Sequence, residues 1–190
     1  IEKLDKHYMA AVMASGAAVG SAAAFPGIGT LVAMSAVAGE TVVFLEATAV
    51  YVLAVAEAHG IPADHRERRR ALVLAVLVGD DGKHAVADLL GPGRTSGAWL
   101  SDGAATLPLP AVSQLNSRLM RYFVKRYTLK RGAIAFGKLL PVGIGAVVGG
   151  AGNRMMGKKI VGHAHAAFGN PPPRWPSPLL LLPAPRPELP

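Results

Sequence analysis

TLVAMSAVAGETVVFLEATAVYVLAVAEAH, residues 30–59, runs without a proline and with one interior glycine, Gly39. Nothing in it alternates with period two, and it is far too long for a strand, so it predicts a single helix about 45 Å long. Its only charges are Glu40, Glu46 and Glu57. Glu46 and Glu57 are eleven residues apart, which places them within about 20° of each other around a helix. Gly60-Ile61-Pro62 ends the run.

The pattern continues outward on both sides. Residues 4–24 are alanine-rich and helical in period, with Gly16 and Gly20 spaced as small-xxx-small, a spacing that lets two helices approach closely. The break at 25–29, Phe-Pro-Gly-Ile-Gly, separates this helix from the next. Downstream, Asp64 with Glu67 three residues later predicts a helix start of the capping-box type. Arg66, Arg68, Arg69 and Arg70 and the apolar run 71–78 follow. Residues 79–82, Gly-Asp-Asp-Gly, predict a turn, and 83–90 a short helix stopped by Gly91-Pro92-Gly93. Residues 93–110 have no period and predict a loop.

Residues 111–131 predict an amphipathic helix. Val112, Leu115, Leu119, Tyr122, Phe123 and Tyr127 form its apolar side, bordered by Arg118, Arg121, Lys125 and Arg126. A glycine-rich stretch at 139–152 (LLPVGIGAVVGGAG) and a helix to about Phe168 complete the pattern. No strand pattern is convincing. The expected class is all-α: a compact helical bundle with Gly/Ala-rich helix packing over 1–169. Residues 170–190 hold nine prolines, a composition that predicts an extended or disordered tail. The chain begins at Ile1 rather than Met. A preceding segment is therefore expected, and no secretory signal is visible.

Charge divides the chain. From Gly103 onward twelve Lys or Arg face one acid, Glu188; from Ile1 to Asp102 eight bases face eleven acids. The basic part encloses the glycine-rich stretch, with Lys138 before it and Arg154, Lys158 and Lys159 after it. A basic rim around a small-residue apolar segment suits an anionic membrane surface. Within the stretch, Gly145-xxx-Gly149-xxx-Asn153 forms a helix-packing row, with Asn153 as a polar anchor against a neighbouring helix. The row lacks the preceding strand and following Lys-Ser/Thr of a phosphate-binding loop.

Several chemistries are disfavoured. Without cysteine there is no disulfide framework and no thiol nucleophile. Gly-x-Ser-x-Gly and His-Glu-x-x-His are absent. His163 and His165 point roughly 200° apart on a helix and cannot share an ion there. Glu46 and Glu57 lie about 16 Å apart along the axis, too far for one metal. Both are expected to be buried and paired with arginine, because an unpartnered buried carboxylate is costly. No metal, cofactor or catalytic residue is expected. Arg and Lys interleaved with Tyr122, Phe123 and Tyr127 invite a nucleic-acid reading, but no recognition motif accompanies them.

Three stretches together resemble the EcsC protein family. One is the Pro-Gly break and long apolar helix ending Ala-Glu-Ala-His-Gly-Ile-Pro at 56–62. His59 there replaces a commonly aromatic residue. The second is the charged-then-apolar helix at 64–78. The third is LLPVGIGAVVGGAGN at 139–153, similar to the family's Pro-x-x-Gly-x-x-x-Gly-x-x-x-Asn signature. The resemblance covers roughly residues 4–168. It implies a helical, mainly bacterial protein in a membrane-proximal setting, the namesake accompanying an ABC transporter, and it transfers no catalytic residue.

The expected function is therefore that of a non-enzymatic accessory protein, peripheral on the cytoplasmic face of the membrane or cytoplasmic. It would bind anionic lipid or an integral, transporter-type partner. Arg118, Arg121, Lys125, Arg126, Lys130, Arg131, Lys138, Arg154, Lys158 and Lys159 would make the contact. Two alternatives stand beside it: a lipid- or peptide-directed hydrolase using buried Glu46 or Glu57 as base, and an integral subunit of a transport complex with 30–59 spanning.

Overall fold

The structure is a computed structural model. It describes the backbone of residues 1–22, 30–90, 99–102, 107–138 and 144–171, and the side chains of 1–19, 35, 38–88, 99–100, 107–125 and 151–171. The described residues are all-α. Helices α1 (Glu2–Ala22), α2 (Thr30–Ala58), α3 (Arg66–Val78), α4 (Asp80–Leu90), α5 (Trp99–Asp102), α6 (Leu109–Lys138) and α7 (Ile144–Phe168) follow one another along the chain.

Helix α1 lies between α2 and α7 and runs antiparallel to both. Its N-terminal Asp5 meets Tyr51 late in α2 and His165 late in α7. Its Gly16 meets Asn153, early in α7. At the far end of the bundle the last turn of α2 meets that of α7, where the His59 and Phe168 rings stand 5.4 Å apart. Helices α3 and α6 pack together beside this layer, and α4 lies on α6.

The α2 core stripe is Glu40, Phe44, Thr48, Tyr51 and Val55, all buried. These residues recur every three or four positions, as one helical face requires. Glu46 and Glu57 do share a face, but it is the opposite one, and both are exposed. This corrects the expectation that they are buried. The acid inside is Glu40, 2% exposed. Apart from these glutamates the helix is apolar all round, with Val42, Val43 and Val50 exposed at 63%, 48% and 66%. Its composition therefore does not say which face the neighbours cover.

Three local expectations are also corrected. Helix α3 is capped by His65 with no side-chain cap bond, so Asp64 is not its cap. Glu67, instead of reaching back, accepts from Asn116 Nδ2 at 2.6 Å and is tied to α6. The expected turn at 79–82 shrinks to Gly79 (φ +70°), and α4 starts at Asp80. A positive φ at glycine reverses the chain in one residue, leaving Asp80 and Asp81 to fill the first turn of α4, where the helix dipole favours acids. The unpatterned stretch 93–110 contains α5, whose Trp99 and Leu100 are buried. The proline-rich tail lies outside the described residues.

Candidate functional site

The α1–α7 seam carries the packing residues singled out in the sequence. Asn153 is 3% exposed. Its Nδ2 donates to the Val12 carbonyl of α1 at 3.1 Å and to Glu40 Oε1 of α2 at 2.7 Å. One amide thus ties three helices and supplies a partner to a buried carboxylate. Gly16 makes room for it, since a Cβ there would lie 2.5 Å from Asn153 Nδ2. The small-residue row extends one turn beyond the expected one, to Gly157, where a Cβ would meet Met9 Sδ at 2.8 Å. Gly157 follows Asn153 by four residues, a signal present in the sequence and missed. The surroundings of Gly20, Gly145 and Gly149 lie outside the described residues.

A second polar cluster closes the other half of the seam. Thr48 Oγ1 donates to the Phe44 carbonyl at 2.7 Å, so Tyr8 is the donor in its 2.9 Å contact with Thr48. The Tyr8 and Tyr51 rings stack with centroids 4.6 Å apart. Tyr51 donates to Asp5 Oδ1 at 2.6 Å, and His165 Nε2 donates to Asp5 Oδ2 at 3.0 Å. Burial, then the hydrogen bond to the Asp5 carboxylate and its negative charge, hold the Tyr51 phenol well above its usual range. His163 packs on Gly79 and bonds the Val76 carbonyl. No metal-ligand cluster occurs among the described residues.

With Glu40 turned inward, the described side chains near the α1 C-terminus and toward the N-termini of α2 and α7 are uncharged up to Arg154. The sequence has no charged residue from Tyr8 to Gly39 and none from Leu139 to Asn153. Exposed there are Met13, Ala14, Ala17 and Ala18 of α1, Ala38, Gly39, Val42 and Val43 of α2, and Ala151 and Met155 of α7. Arg154, which directly precedes Met155, and Lys158 and Lys159 are all exposed and bring positive charge to the edge of this set on α7. By length and composition Ala38–Ala58 is the one segment among the described residues able to cross a membrane, though 39% of it is buried inside the bundle.

The second basic surface is on α6. Arg121 and Lys125 are exposed and Arg118 is half-buried. Arg118 Nη1 reaches Asp88 Oδ2 of α4 at 3.7 Å. Tyr122, expected on the apolar side, is 42% exposed between these cations. It sits at the edge of the stripe formed by Val112, Leu115 and Leu119, and α3 and α4 do not cover it. The side chains of Arg126, Lys130, Arg131 and Lys138 lie outside the described residues. Asp88 and Glu40 are the site residues that sequence reasoning missed.

No protein-family model matches the chain, and no curated protein or solved structure is significantly similar to it.

Proposed function

We propose that the protein is a non-enzymatic, membrane-associated accessory protein that docks on an anionic bilayer with the apolar patch exposed by α1, α2 and α7. Arg154, Lys158, Lys159 and the basic run of α6 supply the attraction to headgroups. The observation that carries this reading is the exposed set Met13, Val42, Val43 and Met155, with cations beside it on α7 and the exposed Glu46 marking its edge on α2. Apolar side chains entering the headgroup region, flanked by Lys and Arg, describe an interfacial binder. A membrane-proximal place is also what the EcsC resemblance implies. An integral transporter-type partner would meet the same face.

The hydrolase alternative loses its premise, because Glu46 and Glu57 are exposed and not buried bases. A spanning α2 has the apolar length of Ala38–Ala58 in its favour. Against it stands Glu46 on the exposed face, which would meet acyl chains at a cost of roughly 2–3 kcal/mol or more.

Vesicle flotation tests the proposal. Binding to vesicles with anionic lipid should exceed binding to neutral ones and weaken as salt rises. Alkaline carbonate should then strip the protein from the membrane. Equal recovery with both lipid compositions, or with neither, overturns the docking reading. Resistance to carbonate would move α2 into the bilayer.

A further inference from the structure

The α4–α6 cleft does something a diffuse basic surface does not. It spans about 370 Å³ and is lined by Asp88, Arg118, Arg121, Tyr122 and Lys125, near the lower end of the size range of small-molecule sites. The four α6 residues stand at i, i+3, i+4 and i+7, within an arc of about 100°. That spacing normally marks an apolar stripe facing a neighbouring helix. Here it carries two guanidinium groups, an ammonium and a phenol, and it turns toward α4 and away from the core stripe Val112, Leu115 and Leu119. Among the described lining residues Asp88, 3.7 Å from Arg118 across the cleft, offsets one of three cations and leaves two net positive charges.

We infer that this cleft binds a phosphomonoester. A phosphomonoester carries about −1.5 to −2 charges near neutral pH, which matches that balance. Guanidinium forks present paired donors to phosphate oxygens. The Tyr122 hydroxyl adds a donor, and its half-exposed ring gives the ligand's organic part an apolar wall. A carboxylate or a phosphodiester, with one charge, would leave a cation unmatched. The site needs no membrane, so it goes beyond the docking proposal: its ligand is a lipid headgroup of the phosphatidic acid type or a free small phosphate ester.

Titration calorimetry of the full chain with glycerol 3-phosphate, at low salt and without vesicles, reads the site directly. Saturable binding is expected. Arg121→Gln with Lys125→Gln should weaken it by about tenfold or more. Arg69→Gln with Arg70→Gln, removing two exposed cations of α3, should change it by less than twofold. Asp88→Asn should tighten it severalfold. In parallel, vesicles containing phosphatidic acid are compared with phosphatidylglycerol vesicles of equal surface charge. A preference for phosphatidic acid that Arg121→Gln/Lys125→Gln abolishes identifies a headgroup. Glycerol 3-phosphate binding with no such preference identifies a free phosphate ester. The inference is overturned if neither readout depends on Arg121 and Lys125, or if the α3 double variant costs as much. Flotation on phosphatidylglycerol that survives the cleft variants would then leave the docking proposal standing without the cleft.

Discussion

Asn153 and Gly16 meet closely across the α1–α7 seam, and their chemistry sets what substitution costs. In Gly16→Ala the new methyl would have to displace an amide that holds both the Val12 carbonyl and the Glu40 carboxylate. Leaving such groups unpaired costs about 1–3 kcal/mol, more than alanine's gain in helix propensity returns. Gly162 makes the internal control. It lies on the exposed face of α7 with nothing within 4 Å of a Cβ, so Gly162→Ala should stabilise by up to about 1 kcal/mol. Thermal unfolding of the two variants should therefore shift in opposite directions, by about 2–4 °C per kcal/mol for a chain of this size. The anchoring role of Asn153 was readable because a lone polar residue continued a glycine row at four-residue spacing. Its partner was not. Glu40, Glu46 and Glu57 all sit in the same apolar helix, and only the positions of α1 and α7 determine that Glu40 is the one turned inward.

At the scale of elements, the α1–α2 seam carries a titratable contact. Tyr51 is neutral when it donates to Asp5, and the fold holds its phenol above the ordinary value. In the unfolded chain that phenol ionises near pH 10. The contribution of Tyr51 is thus fully present below about pH 10 and lost above it, where the unfolded state sheds a proton that the folded state keeps. Stability should fall by up to about 1.4 kcal/mol per pH unit in that range. In Tyr51→Phe the stability at neutral pH should drop through the lost Asp5 bond, and the slope above pH 10 should flatten. Denaturant unfolding between pH 8 and 11 checks both. Most elements could be read from the sequence, because prolines, glycines and uninterrupted apolar runs punctuate it. The failures were local and had causes. Gly79 alone makes the turn assigned to four residues, and α5 was hidden in a stretch too short to show a period. Tyr122 sits at the margin of a stripe whose width depends on how far α4 reaches across α6.

For the whole molecule, the division of charge along the chain becomes a division in space. Helix polarity brings the described uncharged residues 12–19 of α1, 38–39 of α2 and 151–153 of α7 into one half of the bundle, while the junctions of α2 with α3 and of α7 with residues 169–171 lie at the other end. That the three helices run this way could not be read from the sequence, since their antiparallel order rests on contacts such as Asp5 with Tyr51 and His165. The absence of cysteine makes the central claim directly measurable. Single cysteines replacing Val42, Met155 or Asn170, all exposed, can each carry a nitrobenzoxadiazole probe whose emission reports entry into a bilayer. Mixed with anionic vesicles, the probes at 42 and 155 should blue-shift and brighten while the probe at 170 stays unchanged. A shift at 170 alone, or at none of the three, would contradict docking through the apolar patch of α1, α2 and α7.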